Sequence, residues 1–278
     1  MPNYGYHLAR AQGGAVRSLY RRLLPRIVGR PLAPRTAIPL EVFSYSNEAM
    51  LPEQIACIRS FLRYAGRPIR FSVVSDGTHL ERSRELLEQI DDCVRVVNSA
   101  EGEPNAPSKM RNYLTSHPTG RQLALIMSLP VAGPTLYVDA DVLFFAGAAG
   151  LSELIKQPPA SAMYLGDCQF AGDARLLRGE AEKSAPVNTG FLLLFQPLDW
   201  SLGIARFLEL SAAPIFFTNQ TLTHLTMHAN RATPFDPCKF VLRLDDQCEY
   251  RDRYAGGQIA MRHYVNPVRH KLWNSLGL

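Results

Sequence analysis

At Leu136–Phe145 the chain reads LYVDADVLFF, in which Asp139 and Asp141 interrupt an otherwise apolar run. Such runs are typical of strands buried on both faces of a sheet. Two ionised carboxylates buried there without partners would be very costly, so we expect the strand to end at Val138 and the acids to turn outward. Residues i and i+2 of such a turn can point the same way and bind one hard cation. The stretch predicts a ligand site at a sheet edge, where open α/β folds bind their ligands.

The composition is that of a folded globular protein. The chain has 278 residues, 46% of them hydrophobic and 20% charged, which suits one large α/β domain with a sizeable core. We expect neither a membrane-spanning segment nor a secretory signal, since no apolar run approaches ~20 residues. The five cysteines lack C-x-x-C spacing, so they predict neither a disulfide framework nor a zinc site. A reducing cytoplasm is the expected compartment.

The basic residues are unevenly distributed along the chain. Of the 30 Lys and Arg residues, seven are arginines within residues 1–38, where there is no acid, and the other 23 are balanced by 25 acidic residues. Residues 39–278 are therefore near neutral, whereas a nucleic-acid-binding domain would spread Lys and Arg over a folded face. We expect a basic arm at 1–38, a folded domain at 39–278, and no nucleic acid as partner.

Within the arm, apolar residues recur at helical spacing from Val16 to Val28, with arginines between them. The pattern predicts an amphipathic basic helix with a kink at Pro25 and an end at Gly29. Two placements fit it. The helix packs on the surface of the domain, or it lies on an anionic membrane and makes the protein peripheral on the inner face of that membrane.

From Pro39 onward, short strands alternate with helices. The first part reads strand, helix, strand, helix, strand with short connections, which implies parallel pairing and right-handed crossovers. The expected fold class is α/β, a single domain with a mostly parallel central sheet flanked by helices. The predicted elements are, in order, Leu40–Ser44, Glu53–Tyr64, Ile69–Val74, Leu80–Ile90, Val94–Val97, Gln122–Leu129, Leu136–Val138, Leu151–Lys156, Ala162–Leu165, Phe191–Phe195, Leu202–Leu210, Gln220–Met227, Phe240–Leu244 and Gln258–Met261.

Four segments, in order, resemble motifs of one enzyme family. YVDADVL at Tyr137–Leu143 resembles the D-x-D segment of GT-A glycosyltransferases, and is most similar to the retaining family 8 of glycogenin and bacterial galactosyltransferases. VNTGFLL at Val187–Leu193 resembles that family's F-N-A-G strand, Asn219-Gln220 its D-Q motif, and residues 263–273 its C-terminal H-x-x-G-x-x-K-P-W. The resemblance covers residues 39–273. It implies a Rossmann-like GT-A fold and the transfer of a hexose, with retention, from a nucleoside-diphosphate sugar, for which a UDP-sugar is expected.

The resemblance also implies a metal site. Breaking a sugar–diphosphate bond leaves a nucleoside diphosphate, whose new negative charge a divalent cation stabilises. Asp139 and Asp141 would bind this cation, and the family pattern adds His263. Carboxylate ligands suit Mg²⁺ or Mn²⁺, and an imidazole ligand favours Mn²⁺. The expected cofactor is therefore Mn²⁺ or Mg²⁺, with the nucleoside-diphosphate sugar as donor substrate.

Further candidates surround this centre. The expected catalytic residues are Gln220, which the resemblance places on the sugar face as a weak polar group, and Asn188, whose amide can both donate to and accept from sugar hydroxyls. Six residues are expected to bind the donor. The resemblance places Arg121 at the phosphates, and Lys271 with Arg269 would neutralise them when the tail folds over them. Gly190 allows close backbone approach, Thr189 stands where the family has Ala, and Ser44 and Asp76 end the first two strands.

Two other functions remain open at this point. Asp139–Leu143 also fits the nucleophile motif of HAD-type phosphatases, with Asp139 as nucleophile and Leu242–Asp246 imitating their later acidic pair. A GT-A-like binding protein without turnover is the other alternative. An inverting glycosyltransferase would need a carboxylate base, for which Asp167, Asp245 and Asp246 are candidates. The acceptor, whether a glycan, a lipid-linked molecule or a small molecule, is not specified by the sequence.

Overall fold

The computed structural model describes residues 3–33, 36–98 and 106–276 of the chain. Of the predicted basic arm, residues 1, 2, 34 and 35 lie outside these ranges. The strands are β1 (Ala37–Ser46), β2 (Arg67–Ser75), β3 (Val94–Asn98), β4 (Thr135–Val138), β5 (Val142–Phe144), β6 (Ala162–Gly166), β7 (Val187–Leu194), β8 (Thr233–Pro234), β9 (Phe240–Val241) and β10 (Met261–His263).

Helices flank these strands and precede the first of them. Short 3₁₀ turns lie at Glu48–Met50, Ala146–Gly150, Ala174–Leu176 and Glu180–Lys183. The α-helices are α1 (Tyr4–Arg22), α2 (Leu24–Val28), α3 (Leu51–Tyr64), α4 (Glu81–Glu88), α5 (Ser108–Ser116), α6 (Pro118–Met127), α7 (Leu151–Lys156), α8 (Ser201–Leu208), α9 (Thr218–Ala229) and α10 (Lys271–Asn274).

The central sheet is mostly parallel. In the described part of the chain it has seven strands in the order β3-β2-β1-β4-β7-β6-β8. Strand β1 runs parallel to β2 and β4, β2 to β3, and β6 to β8, whereas β7 is antiparallel to both of its neighbours. All four residues of β4 are buried, as its continuous apolar sequence predicts. The expected α/β class with a mostly parallel sheet is confirmed.

A second, smaller sheet lies next to the first. It contains three strands in the order β5-β10-β9, and three residues separate the end of the central strand β4 from the start of β5. The predicted strand at Gln258–Met261 is displaced: β10 begins at Met261 and extends to His263. The difference in the bounds of this strand matters for the site, because it places His263 inside a paired strand.

Other strand ends also differ from the prediction. Strand β1 continues to Ser46 instead of ending at Ser44, since its last residues still pair with β2. Strand β7 begins at Val187 and not at Phe191, because Val187 and Asn188 pair with β6. Polar residues at a strand end carry no apolar signal, so the hydrophobic pattern marked only the apolar part of each strand.

The arm packs on the domain. Its residues Tyr20, Leu24 and Val28 are buried and belong to the same core cluster as the apolar residues of the sheet. The Tyr20 ring lies 5.2 Å from the Trp273 ring, and Arg17 forms a 2.6 Å ion pair with the buried carboxylate of Glu53. Of the two placements that the amphipathic pattern allowed, the structure shows the first.

The membrane placement of the arm loses its main support. The apolar stripe that would enter a lipid surface is largely buried within the protein, and Leu19 is the member left mostly exposed, at 51%. Tyr4 and Leu8 are also exposed but lie outside the predicted stripe. In the described ranges, no helix is both long enough and apolar enough to cross a membrane.

Candidate metal centre

The Asp139–Asp141 turn connects the two sheets. Strand β4 ends just before it in the central sheet, and β5 leaves it into the small sheet. Strand β10 runs antiparallel to β5 with His263 opposite Val142, which brings the imidazole beside Asp141. On the other side, the Asp139 N–H donates to the Gly190 carbonyl at 2.9 Å, which continues the β4–β7 pairing. The registers of two strand pairs therefore assemble the site.

The three predicted metal ligands are brought together. Asp139, Asp141 and His263 each offer a ligand atom, and these atoms all lie within 4.8 Å of one another. His263 Nε2 lies 3.0 Å from Asp141 Oδ1 and 3.6 Å from Asp139 Oδ2. Two carboxylates and one imidazole form a donor set that suits Mn²⁺ or Mg²⁺.

Asn188 fixes the orientation of the His263 ring. Its Oδ1 lies 3.0 Å from His263 Nδ1 and also accepts from the Gly190 N–H at 2.9 Å, while its Nδ2 donates to Asp167. An amide oxygen only accepts, so Nδ1 carries the proton and neutral His263 keeps its lone pair on Nε2, towards the carboxylates. Metal-binding histidines commonly have such a partner on the other nitrogen. The residues present therefore fit a divalent cation.

Asp139 is held by a second set of polar groups. Its Oδ1 accepts from the Tyr137 hydroxyl at 2.8 Å and from Gln122 Nε2 at 2.9 Å. Gln122 Oε1 in turn accepts from Asn219 Nδ2 at 2.9 Å, which ties helix α6 to the start of helix α9. The other carboxylate oxygen of Asp139, Oδ2, faces His263. Asp139 thus presents one oxygen to the protein and one to the metal site.

The pKa values show how strongly these charges interact. Burial, with the nearby charge of Asp141, raises the pKa of Asp139, although His263 opposes this. Burial alone would raise the pKa of Asp141, but the charges of His263 and Arg269 and their hydrogen bonds outweigh it and lower that pKa. Burial alone would lower the pKa of His263, but Asp141 and Asp139 raise it. The carboxylate pair therefore stabilises positive charge at this point, as a cation site requires.

Gly190 and Thr189 lie against the centre. A Cβ atom on Gly190 would lie 2.2 Å from His263 Cε1 and 2.7 Å from Asp139 Oδ2, so only glycine leaves room for both ligands. Thr189 is buried, and its hydroxyl has no hydrogen-bond partner among the described residues. Such a hydroxyl at a pocket wall is free to bond a ligand.

The metal centre opens into a cavity of about 580 Å³. This volume lies in the range of pockets that bind small molecules and cofactors. Gln220 and Asn188 line it and both donate to Asp167 Oδ2 at 3.1 Å, which places the two predicted catalytic amides side by side. Other residues that line it include Tyr45, Ser46, Asn47, Gln122, Asp167, Thr189, Gly190, Asn219 and Arg269.

Two predicted donor-binding residues do not reach this cavity. Ser44 is fully buried and donates to Gln54 Oε1 at 2.8 Å, so it faces helix α3. Asp76 accepts from the N–H and the hydroxyl of Thr78 within its own turn. Ser44 lies away from the cavity because β1 is two residues longer than expected; its last residue, Ser46, and the following Asn47 line the cavity instead.

Arg121 lies one layer behind the cavity wall. Its Nε donates to the Thr115 carbonyl at 2.8 Å, and its Nη1 lies 3.5 Å from the Asp76 carbonyl. Burial raises the pKa of Tyr45, which does line the cavity. The charge of Asp76 raises this pKa further, and the charge of Arg121 lowers it. In this structure, the residue of helix α6 that faces the metal centre is Gln122, the next residue along.

Lys271, predicted to bind the phosphates, does not line the cavity. Its side chain is fully buried, and its Nζ donates to Asp246 at 3.0 Å and to the Arg251 carbonyl at 2.7 Å. Arg262 shares Asp246 with it, in a buried ion cluster outside the cavity. The basic residue of the tail that does line the cavity is Arg269, whose Nη2 lies 2.5 Å from Asp141 Oδ2.

We expect Arg269→Ala to affect mainly UDP binding and Lys271→Met to affect mainly stability. Arg269→Ala removes a charge beside the metal centre and should weaken UDP binding at least about 10-fold with little loss of stability, because Arg269 is 42% exposed. Lys271→Met breaks a buried ion pair and should lower the free energy of unfolding by about 3 kcal/mol. Fluorescence titration with UDP and urea unfolding test both. Loss of UDP affinity in folded Lys271→Met, with none in Arg269→Ala, would reverse this assignment.

Several residues have a role in the site that the sequence did not predict for them. Gln122, Tyr137 and Asn219 all support the metal ligand Asp139, directly or through one another. The sequence gives little indication of these roles. Tyr137 is indistinguishable from a core aromatic, and Gln122 is a single polar residue at the start of the predicted apolar helix Gln122–Leu129. Asp167 was considered only as the base of an inverting enzyme, yet it links Asn188 and Gln220.

No protein-family model and no curated protein sequence matches the chain. Solved structures do match it. The apo form of mouse xyloside xylosyltransferase 1 superposes with a TM-score of 0.54 and 13% identity, over 84% of this chain and 99% of that one. Apo WbbM, a bifunctional glycosyltransferase, gives a TM-score of 0.57 and 13% identity, over 89% of this chain but only 51% of WbbM. The chain has the GT-A glycosyltransferase fold.

The GT-A fold agrees with what the four sequence motifs implied. At such identities the likeness shows the GT-A fold alone. The site itself must therefore carry any argument about activity.

Proposed function

We propose that this protein is a metal-dependent glycosyltransferase that moves a sugar, in the first instance a hexose, from a nucleoside-diphosphate sugar to an acceptor. The observation that carries the proposal is the group formed by Asp139, Asp141 and His263 at the mouth of a cavity in a GT-A fold. The fold neighbours are named as glycosyltransferases, one of them a xylosyltransferase, so pentose donors belong in the same test.

The site supports the chemistry through its charges. A divalent cation, when bound, would neutralise the diphosphate leaving group while the sugar–phosphate bond breaks. Asp139 and Asp141 would hold it, with His263 as the third ligand. Arg269 adds a fixed positive charge at the same wall of the cavity, which favours the diphosphate further. The preference for UDP over other nucleotides and for Mn²⁺ over Mg²⁺ rests on the family resemblance and on the imidazole ligand.

The amide groups would orient the donor sugar. Asn188 and Gln220 lie next to each other on Asp167, and each keeps further bonding capacity towards the cavity. The buried hydroxyl of Thr189 offers another polar contact. These groups can hold sugar hydroxyls in one orientation, and a fixed orientation accounts for a large part of the rate of group-transfer reactions.

The stereochemical outcome depends on the roles of Gln220 and Asp167. Of the three acids considered as bases, Asp246 is buried in the ion cluster and Asp245 is bonded to Tyr254, so neither lines the cavity. Asp167 does line it, but it accepts from two amides and faces the donor side with them. We propose retention, in which Gln220 lies on the sugar face and Asp167 positions the two amides.

The other two functions fit the site less well. In a HAD-type phosphatase, the acidic pair near Leu242–Asp246 would meet Asp139, whereas here Asp246 bonds Arg262 and Lys271 away from the cavity. The GT-A fold is also not the fold of that enzyme class. A binding protein without turnover would retain the donor pocket, and a transfer assay separates it from an enzyme.

We expect a UDP-sugar and Mn²⁺ together to raise the melting temperature and EDTA to reverse this. The panel should contain UDP-hexoses and UDP-xylose, and slow release of UDP without acceptor would show donor cleavage. The anomeric configuration of the released sugar, followed by NMR, tests retention, and inversion would show that a carboxylate such as Asp167 acts as base. No stabilisation by any nucleotide sugar would contradict the proposal. Steady phosphate release from small phosphomonoesters, abolished by Asp139→Asn, would instead show a phosphatase.

A further inference from the structure

A second cavity lies where the arm meets the domain. Its volume is about 400 Å³, within the range of small-molecule pockets, and it shares no lining residue with the cavity at the metal centre. The arm contributes Arg30, helix α3 contributes Arg59 and Arg63, and the walls between them are mostly apolar. We call it the arginine pocket.

The three arginines are concentrated without a compensating acid. No lining residue carries a carboxylate, and within the described ranges none of the three guanidinium groups forms an ion pair. Arg59 is half-buried, and its guanidinium donates at 3.1 Å to the carbonyl of Arg30, which fixes it in the pocket wall. Partial burial lowers the pKa of Arg59, and the charges of Arg30 and Arg63 lower it further. Like charges therefore repel one another there, and an anion would relieve this repulsion.

The apolar residues that line the pocket indicate that the anion carries an apolar group. Ile27 and Leu32 from the arm, Phe145 just after β5, and Tyr64 beside Arg63 line the pocket and are only partly buried. A free inorganic ion would leave these apolar surfaces in contact with water, whereas an apolar group would cover them. A guanidinium binds two oxygens of a carboxylate or of a phosphate, but a phosphate has more acceptor oxygens and more negative charge to share among three arginines.

We propose that the arginine pocket binds a phosphate group that carries an apolar substituent, as in a lipid phosphate. The pocket is separate from the proposed donor site, so this inference does not depend on the glycosyltransferase activity. Two sources offer this chemistry, a monomeric amphiphile in solution and a headgroup in a membrane. In the second case the arm would meet the membrane through the pocket and not through its buried apolar stripe.

The test compares charge reversals inside and outside the pocket. Arg30→Glu/Arg63→Glu changes two exposed members and leaves Arg59, which bonds the arm, in place. Arg70→Glu, an exposed residue of strand β2 outside the pocket, is the matched control. We expect dihexanoyl phosphatidic acid to bind the wild type and Arg70→Glu equally in calorimetry. The double variant should bind at least ten-fold more weakly. Circular dichroism and urea unfolding should be alike for all three proteins, which shows that they are folded.

The probes also separate the two sources. Co-sedimentation with vesicles of phosphatidylcholine containing phosphatidic acid, lost in the double variant, would support the proposal and identify a membrane as the source. Binding of the short-chain lipid without binding to vesicles would support it with a monomeric amphiphile. Equal binding by the double variant would overturn it, as would the absence of binding to any phosphatidic acid. Inorganic phosphate binding as tightly as the short-chain lipid would overturn the apolar half of the proposal.

Discussion

Asp141→Asn is expected to remove Mn²⁺-dependent UDP binding and to leave the protein folded. Asp141 is buried at 4% exposure and lies between His263 and Arg269, so it is the carboxylate most fully enclosed by the site. Asparagine has nearly the same shape but no charge, and the cation would lose an anionic ligand. Partners one layer behind a metal ligand are worth about 10–100-fold in metal affinity, so loss of the ligand itself should cost about 100-fold or more.

The measurement is a UDP titration with and without Mn²⁺, with circular dichroism to check the fold. Asp245→Asn is the matched control: the same chemical change on an acid that bonds Arg253 and Tyr254 outside the cavity. It should leave the metal dependence of UDP binding unchanged. If Asp141→Asn binds UDP and Mn²⁺ like the wild type, the metal site has been assigned to the wrong residues.

Gly190→Ala should inactivate the protein through space and not through charge. The added Cβ would lie 2.2 Å from His263 Cε1 and 2.7 Å from Asp139 Oδ2, so at least one metal ligand must move. All of strand β7 is buried, which leaves little freedom for the backbone to shift instead. We expect metal-dependent activity to fall about 100-fold, the effect of a misplacement near 1 Å, with a stability loss of about 1–3 kcal/mol.

Gly150→Ala is the matched control for this change. Gly150 lies before helix α7, and a Cβ there would meet nothing within 4 Å. Turnover, metal titration and urea unfolding are compared for the two variants. Retention of wild-type metal affinity by Gly190→Ala would show that His263 and Asp139 are not both ligands, or that their positions tolerate a shift.

Much of the fold could be predicted because its signals are local. The apolar run Leu136–Val138 predicted the buried central strand, and the acids after it predicted the turn at the sheet edge. Helix α7 was predicted with both of its ends correct. Helix α5 was not predicted, because its sequence SKMRNYLTS is mostly polar and its buried residues number three, Met110, Tyr113 and Leu114. These three lie at i, i+3 and i+4, but one turn of apolar spacing is too short to identify a helix in a mostly polar sequence.

The sequence by itself determined the Asp139–Asp141 turn and the amphipathic face of the arm, since both follow from the order of apolar and charged residues. It could not determine which distant side chains meet there. Asn188 orients His263 across 75 residues, and Asn219 bonds Gln122 across 97. Only the tertiary structure decided that Arg269 faces the cavity while Lys271 is buried against Asp246. The reason is physical: an apolar stripe or a charge requires a partner, but the partner is chosen by strand register and packing of the whole chain.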